Sequence, residues 1–403
     1  MGDVVVIGAG QAGAALVARL RKQGFEGKIT LIGDDPAPPY QRPPLSKAYL
    51  LGEMTQERLL LRPESFYADN DIDLKLGTST ISIDRAARTV TREGGDVIPY
   101  DQLALTTGST ARRLPAEVGG DLDGVFTLRT LHDVDTMAPH FVRDARVLIV
   151  GGGYIGLEAA AVASKLGLKV TLVEASDRIL KRVAAPETSD YFRDLHTRHG
   201  VNLKEGTGLK RLLGDGKVTG AELSTGEVLE LDFVLVGVGI IPCEGLARDA
   251  GLELDNGIKS DAYGRTSDPS IWAAGDCASF PWKNGRIRLE SVGNAIDQAE
   301  VVADNILGAE RPYVAAPWFW SDQYTVKLQI AGLNTGYDRI VTRQGPGDSV
   351  SYWYYAGDTL LALDAMNDPR SYMVGKRLIE MGKSPHPDAI RDTQTDLKAL
   401  LKA

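Results

Sequence analysis

Apolar β-branched residues fill positions 4–7, the pattern of a short buried strand. Positions 14–22 space their apolar residues as a helix does, and 29–32 read as a second strand. Between the first strand and the helix runs Gly8-Ala9-Gly10-Gln11-Ala12-Gly13. The same order recurs near the middle of the chain. Positions 147–150 form a strand, Gly151-Gly152-Gly153-Tyr154-Ile155-Gly156 a turn, 157–166 a helix and 170–173 a second strand. Two copies with one internal order indicate a duplicated unit, not a short-period repeat.

Between the copies, 81–97 alternates apolar and polar residues and predicts a meander, closed by the run Leu103 to Gly108. A later apolar run, 233–238, is a buried strand leading into Gly239. After Trp318 the pattern changes. Positions 350–355 and 359–363 predict antiparallel strands, and 372–381 a helix. The expected fold class is therefore α/β, with two Rossmann-type dinucleotide-binding domains and a C-terminal α+β domain.

Composition narrows the function. With Lys+Arg 45 against Asp+Glu 54, the chain is acidic, which argues against nucleic acid as a general partner. No apolar stretch reaches the length of a membrane span, and the strand at 4–7 follows the first residues with no charged or apolar leader between them. A cytoplasmic protein with no membrane association is expected. The two cysteines, Cys243 and Cys277, lie far apart in the chain and form neither a C-x-x-C pair nor a zinc ligand set, so no metal is expected.

Gly8, Gly10 and Gly13 fit G-x-G-x-x-G in the strand–turn–helix setting that the motif requires. The first glycine permits the tight turn, the second close approach of a pyrophosphate, and the third close packing of helix on strand. The helix N-terminus then offers free N–H groups to the phosphates. Asp34, just after the second strand, is the ribose acceptor. Gly151, Gly153 and Gly156 repeat the cradle, with Tyr154 and Ile155 inside it. Glu174 ends the next strand, close to the spacing of about 20 residues expected for the ribose carboxylate. A carboxylate there accepts from a ribose 2′-hydroxyl and repels a 2′-phosphate, so NADH is favoured over NADPH. Two cradles mean two dinucleotides, or one dinucleotide and a relic.

Further motifs carry a resemblance. They are Tyr40-Gln41-Arg42-Pro43-Pro44-Leu45-Ser46-Lys47, the turn ending Gly156-Leu157-Glu158, Ala273-Ala274-Gly275-Asp276-Cys277, Glu290-Ser291-Val292-Gly293-Asn294-Ala295, and Pro317-Trp318-Phe319-Trp320-Ser321. With them the chain resembles, over essentially its whole length, the FAD-containing ferredoxin reductases of bacterial cytochrome P450 and ring-hydroxylating dioxygenase systems. The resemblance implies a glutathione-reductase-like fold with a discontinuous FAD domain, 1–112 and 245–318. It implies an NADH domain at 113–244 and the α+β domain at 319–403. FAD takes the first cradle and NADH the second, and a [2Fe–2S] ferredoxin is the partner.

The same resemblance assigns Asp276 to the ribityl or pyrophosphate part of FAD, the alternative being a helix cap. It places Lys47 by flavin N5, paired with Glu158, and Trp320 near the flavin and the nicotinamide. Tyr154 covers the flavin face. Arg42, Thr107, Gly108, Arg129, Gly275 and Val292 complete the FAD contacts, and Gly239 joins the NADH site. Cys243 stands where the family often has asparagine after Pro242. Hydride transfer needs no acid–base dyad from the protein. Three competing readings differ in testable chemistry. A disulfide oxidoreductase needs a cysteine pair. An NADH oxidase or peroxidase of the single-cysteine type needs an early cysteine. A redox-dependent interaction protein similar to apoptosis-inducing factor would reduce a ferredoxin slowly or not at all. The acidic chain needs a local basic cluster to meet an acidic ferredoxin, and Lys283, Arg286, Arg288, Lys327 and Arg339 are the candidates.

Overall fold

The computed structural model describes residues 2–402. Its contacts divide into two compact units. One comprises Met1–Gln41, Gln56–Thr110 and Ile241–Pro317, and the other Arg42–Thr55, Ala111–Ile240 and Trp318–Ala403.

The first unit is built on a five-stranded parallel sheet. Its order is Ile271–Ala273, Gln102–Leu105, Val4–Ile7, Ile29–Ile32, Ile72–Lys75. Val4–Ile7 is buried along its whole length, which is why it reads as an unbroken apolar run and not as an alternating strand. Helix Gln11–Lys22 turns Leu16, Val17 and Leu20 onto the sheet. Burying each such side chain stabilises the unit by roughly 1.5–3 kcal/mol. Helix Val292–Ile306 shares this core through Ala295, Ala299, Val302 and Ala303. The expected meander is a three-stranded antiparallel sheet, Thr80–Asp84, Thr89–Arg92 and Val97–Pro99.

The second unit repeats the parallel sheet, in the order Asn202–Glu205, Lys169–Glu174, Arg146–Val150, Phe233–Val236, Val125–Thr127. The strand expected at 233–238 stops at Val236, where Gly237 turns toward the cradle. A separate core belongs to an antiparallel sheet of the order Trp318–Gln323, Val326–Gly332, Thr359–Met366, Val350–Ala356, Arg339–Gln344. Helix Pro369–Glu380 covers it, starting at Asp368, whose side chain accepts the Ser371 N–H at 3.0 Å. Gly375 lies so close to the sheet that a Cβ would come within 2.7 Å of Leu363. The sequence pattern indicated only two of these five strands. Of the others, Val326–Gly332 opens with the alternation Val-Lys-Leu-Gln-Ile and was legible, whereas Trp318–Gln323 and Arg339–Gln344 alternate poorly in sequence.

Candidate functional site

Both helices that follow the glycine turns begin earlier than apolar spacing indicates. Gln11–Lys22 takes in Gly13, and Tyr154–Lys165 takes in Gly156. The third glycine of each run is thus part of the helix. A Cβ on Gly13 would stand 2.1 Å from the Gly8 carbonyl oxygen, and one on Gly156 2.1 Å from that of Gly151. The first glycines are equally constrained. Gly8 has φ +113° and Gly151 φ +109°, and a Cβ would lie 2.2 Å from the Thr106 carbonyl oxygen or 2.4 Å from that of Gly237. The middle glycines differ. A Cβ on Gly10 or Gly153 would meet nothing within 4 Å. Packing does not require glycine there, whereas close approach of a ligand does. Gly10 and Gly153 are also the N-caps, and neither helix has a side-chain cap. The first N–H groups of both helices are left to an anion. On this geometry both sites fit a dinucleotide pyrophosphate.

In the first unit, Asp34 is exposed and, among the described residues, accepts the neighbouring Asp35 N–H at 3.0 Å. Thr107 and Gly108 are locked to Cys243 through its main chain. Thr107 Oγ1 donates to the Cys243 carbonyl at 2.6 Å, and Cys243 N–H donates to the Gly108 carbonyl at 2.9 Å. Both bonds use backbone atoms, so the change of side chain at this position leaves them intact. Gly275, at φ +83°, donates its N–H to Gln298 Oε1 at 2.9 Å, where a Cβ would press to 3.0 Å from Ala12. Asp276 accepts from Ser109 Oγ at 2.9 Å and caps no helix among the described residues. Helix Val292–Ile306, which begins at Val292, is capped by Ser291.

In the second unit, Glu174 holds the cradle loop. Its Oε2 accepts the Gly152 N–H and its Oε1 the Ser176 N–H, both at 2.8 Å. Gly239, at φ +103°, accepts the Arg112 N–H at 2.9 Å. Ile155 is exposed. Arg42 donates to the Arg129 carbonyl at 2.5 Å. Trp320 stacks on Trp318 with centroids 5.4 Å apart.

Glu158, on the cradle helix, is 2% exposed. Its carboxylate meets Lys47 Nζ at 2.8 Å and accepts from Ser46 and Ser321 hydroxyls, each at 2.6 Å. Lys47 also donates to the Pro43 carbonyl at 3.2 Å. A buried carboxylate is costly unless paired and hydrogen-bonded, and here both conditions are met. Sequence reasoning missed the two serines because their segments are far apart in the chain. The Tyr154 ring lies 4.8 Å from that of Phe319, and its hydroxyl is buried without a hydrogen-bond partner. Burial first, then the charges of Asp364, Tyr354 and Glu158, raise its pKa well above the usual value.

Neither cysteine is in a disulfide among the described residues. Burial pushes the Cys277 thiol up, away from the thiolate that redox chemistry needs. Of the basic candidates, Arg286 and Arg288 are tied inward. Arg286 donates to the Ser260 carbonyl at 2.6 Å, and Arg288 pairs with Glu290 at 2.5 Å and donates to the Asp276 carbonyl at 3.1 Å. Lys283 and Lys327 are exposed. Arg339 is also exposed and pairs with Asp358 at 3.5 Å.

Two parallel sheets, each ending in a glycine cradle, together with an antiparallel C-terminal sheet, define a glutathione-reductase-like oxidoreductase that binds two dinucleotides. The chain belongs to the pyridine nucleotide-disulphide oxidoreductase family, whose model matches residues 2–299, with a reductase C-terminal region at 318–401. It is 43% identical to rhodocoxin reductase of Rhodococcus erythropolis over 400 residues, covering 98% of this chain and 93% of that one. It is 40% identical to putidaredoxin reductase of Pseudomonas putida over 409 residues, covering 100% and 97%. The structure superposes on a putidaredoxin reductase solved in covalent complex with putidaredoxin, with a TM-score of 0.95 at 40% identity, covering 99% of this chain and 98% of that one.

Proposed function

We propose that this chain is an FAD-dependent NADH:ferredoxin oxidoreductase that supplies electrons, through a [2Fe–2S] ferredoxin, to a cytochrome P450 or a ring-hydroxylating dioxygenase. The observation that carries this reading is the pair of uncapped cradles, each open at its middle glycine, in a chain whose cysteines form no redox pair. The relatives, reductases of small electron carriers by name, support the partner class.

FAD takes the Gly8, Gly10 and Gly13 cradle, with Asp34 on the ribose and Thr107, Gly108, Gly275, Asp276 and Val292 along its length. By resemblance Arg42, Lys47, Arg129 and Trp320 serve the same cofactor. NADH takes Gly151, Gly153, Tyr154, Ile155, Gly156, Glu174 and Gly239. The domains are 1–112 with 245–318, 113–244, and 319–403. Bound FAD supplies the change from a two-electron hydride donor to one-electron acceptors. Lys47 offers positive charge where negative charge develops, and Glu158 keeps that ammonium in place. Glu174 holds the cradle loop and retains lone pairs for a ribose hydroxyl. Among the described residues no helix is long and apolar enough to cross a membrane. Neither cysteine is in a disulfide among the described residues, which suits a reducing compartment, and we assign the protein to the cytoplasm.

The test is anaerobic mixing of the FAD-loaded protein with NADH, followed by turnover with a [2Fe–2S] ferredoxin, ferricyanide and cytochrome c. Rapid bleaching and fast ferredoxin reduction are expected. A flavin reduced by NADH that passes no electrons to any [2Fe–2S] protein would favour an interaction role instead.

A further inference from the structure

Beyond Glu158, the hydrogen bonds continue through the interior of the second unit. Gln323 Nε2 lies 3.1 Å from Ser321 Oγ, and Gln323 Oε1 lies 2.8 Å from Nε2 of His196, which is fully buried. Tyr324 OH lies 3.2 Å from His196 Nδ1. The direction of every bond in this series follows from the first. Glu158 takes Lys47, Ser46 and Ser321 together, so its oxygens are all acceptors and Ser321 must donate to it. The Ser321 oxygen then accepts the Gln323 amide N–H. The amide oxygen faces His196, which must present Nε2–H. In a neutral imidazole Nδ1 is then the acceptor, and Tyr324 donates to it. Burial keeps that imidazole neutral, lowering its pKa to about 4, with Gln323 opposing the shift and His199 adding to it. The Tyr324 ring is held against His199, with centroids 3.7 Å apart and planes at 15°.

We propose that Ser321, Gln323 and His196 are positioning residues for hydride transfer, forming a one-way chain of donors that holds the Glu158 carboxylate against Lys47. This rests on the reading of Lys47 as the cation beside the flavin. The residues come from one strand, Trp318–Gln323, and one helix, Pro186–Arg198. Gln323 and His196 therefore act on the ion pair without touching it.

Two measurements test the chain. The first is long-range proton–nitrogen NMR of the histidine-labelled, FAD-loaded protein, with His196 assigned by its loss in His196→Asn. The Nε2–H tautomer is expected near neutral pH, and Gln323→Met, which leaves only the Tyr324 bond at Nδ1, should weaken that preference. An Nδ1–H tautomer or an imidazolium overturns the proposal. The second is stopped-flow flavin reduction. Ser321→Ala and Gln323→Met should each slow the limiting rate by about tenfold, the scale of one hydrogen bond to a charged group, and leave NADH binding unchanged. Rates equal to wild type in both overturn the proposal. If either variant fails to fold, the tautomer in the wild-type protein still decides. A wild-type flavin that NADH leaves oxidised overturns the proposed function itself, whereas a normal wild-type rate with indifferent variants overturns only the chain.

Discussion

The two cradles are near copies in their backbone and unlike in what surrounds them. Gly8 and Gly151 share the same left-handed φ, and Gly13 and Gly156 the same tight approach to a carbonyl. Two residues past the third glycine, the first helix has Ala15, packed on the core, and the second has the buried Glu158. Asp34 is exposed, whereas Glu174 spends both carboxylate oxygens on its own loop. The cradle is a common device for holding a pyrophosphate. What distinguishes the two copies is the set of buried charges placed around the second.

The strongest way to break the comparison is at the first glycines. Gly8→Ala and Gly151→Ala each force a Cβ onto a carbonyl, and the left-handed backbone alone costs about 1–3 kcal/mol. Gly8→Ala should abolish FAD retention. Gly151→Ala should keep the yellow colour and lose NADH-driven reduction. FAD content after dialysis and stopped-flow bleaching check this, and equal loss of FAD in both variants would mean that the cradles do not divide the cofactors.

The next effect concerns the charge that the first cradle lacks. Glu158→Gln leaves Lys47, 18% exposed, without its anion. Flavin reduction should slow, and a double-mutant cycle with Lys47→Met should give a coupling of about 0.5–3 kcal/mol. Additive effects would show that the pair is not a unit in the reaction.

Sequence alone carried one part of this picture well. A glycine that avoids a collision is a local requirement, so both cradles were legible, as was Glu174 at the end of its strand. Lys47 and Glu158 were paired through family resemblance and not through spacing, since they are distant in the chain. Ser46, Ser321, Gln323 and His196 were not legible as a group. Serine, glutamine and histidine are common on surfaces, and nothing in periodicity shows that three segments bring them to one buried point. Asp276 is instructive in another way. Its position after Gly275 allowed a helix cap, but the next element is the strand Ala278–Trp282, and its side chain turns to Ser109. Arg286 and Arg288 read as surface charge and are consumed by internal carbonyls and carboxylates.

A smaller effect separates Asp34 and Glu174, the two carboxylates proposed to meet a ribose. Glu174→Ala removes the acceptor for Gly152 and Ser176 as well as the proposed ribose contact. It should raise KM for NADH and relax discrimination against NADPH. Asp34→Ala removes only the bond from the adjacent Asp35 N–H and should weaken FAD only slightly. An unchanged NADH/NADPH ratio of kcat/KM in the Glu174 variant would remove that residue from the site.

The smallest expected effect is on the pH dependence of stability, because two groups near the second cradle oppose each other. Asp364 is buried, accepts from Thr188 Oγ1 at 2.7 Å and from Tyr354, and has its carboxyl pushed up to about 6 by burial. The folded state therefore holds a proton that the unfolded state has released, and stability falls as pH rises from about 4 to about 6. His196 has the opposite sign. Its imidazole is held down to about 4 by burial, so unfolding takes up a proton, and stability rises with pH between about 4 and 6.5. In the wild type the two slopes largely cancel over this window. Asp364→Asn keeps an oxygen that accepts from Thr188 and Tyr354, removes the falling slope, and should leave a midpoint of unfolding that climbs from pH 4 to 6.5. His196→Asn should leave one that declines from pH 4 to 6. Urea midpoints at half-unit pH steps measure both. Parallel profiles in the wild type and both variants would mean that neither group changes its proton on unfolding, and that the buried charges around the second cradle are not coupled to stability in this range.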